Sequence, residues 1–304
     1  MAYLKNMLNK IIIHQQLFIL SLLGFIFLNT LIPADLVNPD YLIWTALFLV
    51  SSIGVSHGAL DGKLIWYGIN KNIQRFTLFI FYLLFVLSGW LLWISFPVIG
   101  LTLLLIMAVF HFGNADLRFL KLADINIKLS WGFTMTFLPI LFKKDVVLSI
   151  FYNLINTKIS ETLIVIIYCI LILSIVRIYW FFVTNFLNSK EKSVWYEDKN
   201  ILLLSEFTLL ILLSYLVHPF IWFAIYFCGL HGLRSLIDSK FMWRIDLKWI
   251  MIFTLPVLIF IYFTHGKYWN SDNYSIIFPI LGALTIAHMS LPTLINHIKK
   301  LAYD

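Results

Sequence analysis

Long apolar runs separated by short polar segments are the main pattern along the chain. A helix needs about 20 predominantly apolar residues to span a bilayer, whereas membrane β-barrels show alternating segments of about ten residues. The runs here are unbroken, so they predict an all-α, polytopic bundle of transmembrane helices. The predicted spans, about ten in number, cover residues 11–32, 41–66, 76–96, 98–117, 129–143, 161–187, 200–217, 219–238, 248–265 and 275–298.

Prolines mark several predicted boundaries, because proline cannot continue the hydrogen-bond ladder of a helix interior. These prolines are Pro33, Pro39, Pro97 and Pro219. The fifth run is short, and residues 146–156 after it predict an interfacial helix. The first run is too long for a signal-peptide core and predicts an uncleaved first span. We find no internal repeat and only one notable polar linker, so residues 1–304 are predicted to form a single integral membrane domain.

Composition agrees with this interpretation and excludes several classes of protein. Hydrophobic residues make up 61% of the chain, charged residues 12%, and the mean hydropathy is +0.91. A soluble enzyme or a disordered chain would need far more charge. The two cysteines, Cys169 and Cys228, lie inside apolar runs and indicate no disulfide framework. The net charge of +7 could indicate nucleic acid, but the basic residues lie between the runs. We therefore relate the charge to membrane topology and predict no nucleic-acid partner.

Lysine and arginine alternate between rich and poor segments along the chain. With a cytoplasmic N-terminus, the inner segments hold about four times as many of these residues as the outer loops, as the positive-inside rule requires. This bias predicts that both termini are cytoplasmic, in a multi-pass protein of the cell (inner or plasma) membrane.

Four histidines fall at one predicted depth. A rise of about 1.5 Å per residue places them roughly 18–24 Å from the outer ends of four spans that run in the same direction. A cluster of imidazoles at one depth predicts a metal site for iron, copper, zinc or nickel. The four are His57, His111, His231 and His288. The remaining four lie near span ends, where we expect interfacial side chains in contact with water: His14, His218, His265 and His297.

Charged residues accompany these histidines near the predicted inner boundary. Asp61 follows His57 by one helical turn, so the two share a face. Such a carboxylate, or that of Asp116, can accept the second N–H of a histidine that binds a metal. Arg234 is then expected to neutralise Asp61 or Asp116. The alternative is that all three are interfacial charges with no part in a site.

Each of the four histidines at one predicted depth lies in a short motif. The motifs are Ser56-His57-Gly58-Ala59-Leu60-Asp61, His111-Phe112-Gly113-Asn114-Ala115-Asp116, His231-Gly232-Leu233-Arg234 and Ala287-His288-Met289. Together they resemble the Brp/Blh family of bacterial and archaeal membrane β-carotene 15,15′-dioxygenases. The resemblance extends over residues 50–292 and is most specific in its first two motifs.

The resemblance implies that O₂ cleaves the central double bond of β-carotene to give two molecules of retinal. It implies a non-haem Fe(II), with His57, His111 and His231 as ligands. The family pattern continues His-x-x-Arg-His, and this chain has Ser235 in place of the last histidine. A site of three histidines with water, recruitment of His288, or altered activity would each accommodate this difference. We favour His288 as the fourth ligand because of its predicted depth.

A carotene carries no polar group, so its affinity must come from buried apolar area, and it can enter from the bilayer. The protein must then place one double bond of a uniform polyene, which is a matter of tunnel length and orientation. We expect aromatic residues of the histidine-bearing helices to line this tunnel: Trp44, Phe48, Phe110, Phe112, Trp222, Phe223 and Phe227. A microbial rhodopsin is a candidate acceptor of the retinal.

Two other functions fit the polar residues within the spans. One is a transporter or proton relay, in which intramembrane His, Asp and Arg pass protons. The other is a non-catalytic, opsin-related accessory protein of the same family, with Ser235 as the trace of a lost activity.

Overall fold

The structure, a computed structural model, describes residues 2–31, 39–54, 58, 60–69, 71–120, 122–188, 198–238, 242–265 and 274–301. Every regular element within these ranges is helical, which confirms the predicted all-α class. Two segments are π-helical, Val50–Gly54 and Ile225–Gly232. The other helices are α1 (Ala2–Leu31), α2 (Pro39–Leu49), α3 (Asp61–Gly68), α4 (Asn72–Ser95), α5 (Pro97–Asp116), α6 (Ile125–Phe142), α7 (Lys144–Ile155), α8 (Glu161–Leu187), α9 (Lys199–Leu216), α10 (Pro219–Ala224), α11 (Leu233–Asp238), α12 (Trp243–His265) and α13 (Tyr274–Leu301).

Eight helical stretches of the described chain are long and apolar enough to cross a membrane. This finding agrees with a polytopic membrane protein. A total of about ten spans and cytoplasmic termini stay predictions. The eight stretches are Asn9–Leu31, Asn72–Ser95, Pro97–Asp116, Ile125–Phe142, Glu161–Leu187, Lys199–Leu216, Pro219–Ile237 and Phe278–Asn296.

The second predicted span, residues 41–66, is not one regular α-helix in the described residues. Helix α2 ends at Leu49, a π-helical segment follows to Gly54, and α3 begins at Asp61. Serine and glycine are frequent between residues 51 and 62, and both favour departures from a regular helix. Residues 55–57, which include His57, lie outside the described part of the chain.

Proline positions mark helix starts as the sequence predicts. Pro39, Pro97 and Pro219 are the first residues of α2, α5 and α10. At a first helical position the missing N–H costs nothing, because that group would have no partner within the helix. The predicted interfacial segment 146–156 corresponds to α7, which confirms the helix and leaves its relation to a membrane surface untested.

Contacts divide the chain into two compact units. Unit 1 comprises residues 1–46, 108–150 and 158–240, and unit 2 comprises residues 47–107, 151–157 and 241–304. That the chain forms a single membrane domain stays a prediction.

The core of unit 1 forms where α6, α8 and α9 pack together. Trp131 from α6 lies against Phe182 of α8 and Phe207 of α9, and all three are 0% exposed. Helices α5 and α6 approach each other so closely that two contact positions require glycine. A Cβ atom at Gly113 would overlap the backbone carbonyl of Lys128, and one at Gly132 would overlap the carbonyl of Val109. These glycines place the segment that carries His111 directly on the backbone of α6.

The core of unit 2 forms where α3, α4 and α13 pack together. Its buried side chains are Ile65, Ile69, Leu78, Tyr82, Ala287, Leu291 and Ile295. Gly62 of α3 fits against the rings of Trp249 and Phe253 of α12. Unit 2 thereby fixes α13, the helix that carries His288.

Candidate functional site

The structure brings together two of the four predicted histidine ligands in unit 1. Nε2 of His111 lies 3.1 Å from Nε2 of His231. The two ring centroids are 4.8 Å apart, and the rings are inclined by 65°. His111 comes from α5 and is half-buried, whereas His231 lies in the π-helical segment Ile225–Gly232 and is 0% exposed. Two imidazoles from distant parts of the chain therefore direct the same ring atom toward one point.

Asp116 fixes the orientation and the tautomer of His231. Nδ1 of His231 donates to Oδ1 of Asp116 at 2.8 Å, because an ionised carboxylate can only accept. Oδ2 accepts from Nε1 of Trp131 at 2.9 Å and from the hydroxyl of Tyr226 at 2.7 Å. With the proton on Nδ1, the lone pair of the ring is on Nε2, the atom that faces His111. A carboxylate that accepts from Nδ1 and so leaves the lone pair on Nε2 is typical of histidines that bind metals.

A buried ion pair adjoins this group. Nη2 of Arg234 donates to both carboxylate oxygens of Glu206, at 2.7 and 2.8 Å. The side chains are 3% and 0% exposed. The ion-pair partner of Arg234 is therefore Glu206 of α9, whereas the sequence predicts that Arg234 neutralises Asp61 or Asp116. Arg234 reaches Asp116 through the backbone instead, since Nη1 lies 3.4 Å from the carbonyl oxygen of that residue.

Unit 2 contains a second couple of aspartate and histidine. Nδ1 of His288 donates to Oδ1 of Asp61 at 2.7 Å, and the hydroxyl of Tyr82 donates to Oδ2 at 2.9 Å. Asp61 is 0% exposed. Gly58 lies beside the ring of His288, and a Cβ atom there would be in ordinary van der Waals contact with the ring, at 3.7 Å. The arrangement repeats that of Asp116, with tyrosine and histidine donating to one carboxylate.

The described residues contain no group of three or more His, Cys, Asp or Glu side chains that would by itself hold a metal ion. His57, a predicted ligand, lies outside those residues. Ser235, one turn after His231, lies in α11 and is partly buried.

Comparison with known proteins identifies a family and a relative of this chain. The family model described as beta-carotene 15,15'-dioxygenase matches residues 48–296. This chain belongs to that family. A relative from the uncultured marine bacterium 66A03, named beta-carotene 15,15'-dioxygenase, is 28% identical over 269 residues. The matched region covers 82% of this chain and 92% of the relative. No solved structure matches the chain significantly.

Two of the predicted aromatic residues of this family member contact His231, and a third packs against one of them. Phe112 lies edge-on to the imidazole, with ring centroids 4.9 Å apart, and Phe227 stacks on it at 5.5 Å. Phe223 stacks in turn on Phe227, at 5.1 Å. Phe112 and Phe227 thus help to bury the His231 ring, which is 0% exposed.

The other four predicted aromatic residues lie elsewhere. Trp222 is buried, stacks on Tyr226 and donates Nε1–H to the carbonyl oxygen of Leu210. Trp44 is also buried, and Phe48 and Phe110 are 56% and 45% exposed. That any of these seven residues lines a substrate tunnel stays a prediction.

Sequence reasoning missed several residues of the site. Glu206 is an acidic residue inside a long apolar run, and this signal could have identified it as the partner of a buried cation. His14, predicted to be an interfacial side chain in contact with water, is 8% exposed, and its Nε2 lies 3.0 Å from the carbonyl oxygen of Gly229. The two tyrosines that bind the aspartates, Tyr82 and Tyr226, had no signal beyond their place in apolar runs.

Proposed function

We propose that this protein is a non-haem iron dioxygenase that cleaves β-carotene with O₂ within a membrane. In this reaction the central 15,15′ double bond and the O–O bond break, and two C=O bonds form. Each of the two all-trans-retinal products receives one oxygen atom, so the reaction needs no other oxidant or reductant. The observation that carries the proposal is the pair of His111 and His231 backed by Asp116, in a chain that belongs to this family.

The donor set fits a transition metal. Zinc–nitrogen bonds to imidazole, for comparison, are about 2.0–2.1 Å long. Two Nε2 atoms 3.1 Å apart therefore have the separation of neighbouring ligands of one ion. An N–H···N hydrogen bond between the two rings would give the same distance, and measurement of bound metal distinguishes these two explanations. Neutral imidazoles are suitable ligands for iron.

The ligands that we propose for iron are His57, His111 and His231, with His288 as the fourth. When bound, the iron would supply the activation of O₂. Asp116 would keep His231 in the tautomer that presents Nε2, and Asp61 would do the same for His288. Tyr226 and Tyr82 support these carboxylates through their hydroxyl groups.

Carotene binding requires apolar surface, and unit 2 contains a cavity that provides it. The cavity has a volume of about 620 Å³, within the usual range for ligand sites of about 300–1,000 Å³. Its polar side chain, that of Ser290, donates to the carbonyl oxygen of Ile286 and so offers no unmet hydrogen bond. We propose that part of the polyene occupies this cavity. Its lining residues are Leu78, Phe81, Phe85, Met107, Met289, Ser290 and Leu294.

Expression in a carotene-producing bacterium tests the proposed activity. We expect loss of the carotene colour and formation of retinal, measured by chromatography of extracted pigments. A variant His111→Ala should insert into the membrane at the wild-type level and form no retinal. Cells that contain the inserted wild-type protein and still form no retinal would contradict the enzyme and favour an accessory protein. A single product shorter or longer than retinal would instead contradict central cleavage.

Metal analysis of the purified protein tests the cofactor separately. We expect about one iron per chain after purification under reducing conditions, and a loss of this iron in His111→Ala. Retinal formation by protein that contains no transition metal would contradict the proposed iron site while leaving the cleavage activity in place. Transfer of the product to a microbial rhodopsin stays a prediction.

A further inference from the structure

The ion pair of Glu206 and Arg234 joins three segments of unit 1. Glu206 belongs to α9, and Arg234 belongs to α11, three residues after His231. The guanidinium also contacts the end of α5, which carries His111. Its Nη1 approaches the carbonyl oxygen of Asp116, and its carbon atom Cζ lies 5.5 Å from the centre of the Phe119 ring. One side chain therefore links the two segments that supply the imidazole pair.

A buried ion pair of this kind is expected to add little to the stability of the fold. Removal of two charges from water is costly in free energy, and apolar residues of similar size often replace a buried pair with no loss of stability. A planar guanidinium has a fixed set of donor directions, so a carboxylate that engages it also restricts its orientation. Glu206 directs two oxygens at Nη2 and leaves Nη1 aimed at the end of α5.

We propose that Glu206 is a positioning residue that, through Arg234, sets the separation between the imidazoles of His111 and His231. Glu206 does not contact either ring; it holds the guanidinium that fixes the end of α5 to the segment after His231. The inference rests on the proposed function, because it gives the separation a role only if both histidines bind one metal ion. Without the pair, the two helix ends remain packed but the imidazoles lose their fixed spacing.

The test separates positioning from stability by removing both charges together. The double variant Glu206→Leu with Arg234→Met removes both members of the ion pair, so neither Glu206 nor Arg234 is left as an unpaired buried charge. The control is Leu171→Ala, which truncates a 0% exposed side chain of α8 in the same unit. Purified proteins in detergent are titrated with Co²⁺, and the affinity and the visible absorption bands are recorded beside the unfolding temperature.

We expect the double variant to unfold near the wild-type temperature and to bind Co²⁺ about 10–100-fold more weakly, as is usual when support behind a ligand is lost. Its absorption bands should change shape. The control should unfold at a lower temperature and bind Co²⁺ as the wild type does. A double variant with wild-type affinity and spectrum would overturn the inference.

Two further outcomes have defined meanings. If the double variant does not fold, Glu206→Gln serves instead, because it keeps the size of the side chain and weakens its hold on Arg234. Wild-type affinity in that variant would also overturn the inference. If the wild-type protein binds neither Co²⁺ nor iron, the proposed metal site is wrong and the inference is overturned with it.

Discussion

Oδ1 of Asp116 accepts a hydrogen bond from Nδ1 of His231 at 2.8 Å, and both side chains are buried. Asp61 accepts from Nδ1 of His288 in the same manner, at 2.7 Å. In each couple a tyrosine hydroxyl donates to the other carboxylate oxygen, Tyr226 in the first and Tyr82 in the second. A buried carboxylate is costly unless its acceptors are satisfied. In each couple both oxygens of a buried aspartate therefore have a donor, one of them a histidine.

Replacement of Asp116 tests the first couple. In Asp116→Asn an amide N–H₂ must face at least one of the three donors that now point at the carboxylate. We expect the affinity for Co²⁺ or iron to fall about 10–100-fold, because the orientation of His231 is no longer fixed. Titration of the purified protein measures this change. Asp198→Asn is the control, since asparagine also caps a helix well and Asp198 caps α9. Equal losses in both variants would contradict a specific role for Asp116.

Ser235 offers a direct test of the difference from the family pattern. The side chain at this position lies one turn beyond His231 in a partly buried site. We expect Ser235→His to raise metal affinity about tenfold, the scale on which changes around a metal site usually act. Metal titration and retinal formation are measured together. A lower unfolding temperature with no gain in affinity would mean that position 235 packs against protein and does not face the metal.

Gly113 is expected to tolerate no side chain. A Cβ atom there would overlap the backbone carbonyl of Lys128, which cannot move as a flexible side chain can. Gly113→Ala should therefore lower the free energy of unfolding by about 1–3 kcal/mol, as overpacking usually does. The control is Gly24→Ala in α1, where nothing lies within 4 Å of the added atom. That variant should be neutral or more stable, by about 0.5–1 kcal/mol. Similar stability of the two variants would contradict the close contact between α5 and α6.

The lowered pKa of His218 should make the stability of the folded protein depend on pH. Burial, and secondarily the positive charge of Lys143, lower the pKa of His218 below its usual 6.5. Its neutral Nδ1 also accepts from the backbone N–H of Phe220 at the start of α10. The folded protein thus favours the neutral ring, so its contribution to stability is present above pH 6.5 and is lost as the pH falls below that value.

The measurement compares unfolding temperatures in detergent between about pH 7.5 and pH 5. The variant His218→Asn can still cap the helix and does not titrate in this range. We expect the wild type to lose more stability than the variant as the pH falls. An equal loss in both proteins would show that other groups cause the pH dependence.

The sequence predicted the helical class and most helix starts because both depend on local information. An apolar run of about 20 residues forms a helix in a membrane whatever it packs against. Pro97 and Pro219 likewise end one helix and begin the next by their own stereochemistry. The π-helical segment that carries His231 had no such signal, because it depends on how Ile225–Gly232 packs against its neighbours.

The sequence by itself determined that apolar helices dominate this protein and that His111, His231, Asp116 and Arg234 are unusual within them. Only the tertiary structure decided which of these groups meet. Arg234 pairs with Glu206, 28 residues away, and His231 pairs with Asp116, 115 residues away. The physical reason is that a hydrogen bond forms only when the rotation and contact of two helices place its atoms to within a few tenths of an ångström. The hydrophobicity of a segment indicates only that the segment is buried or lies in lipid.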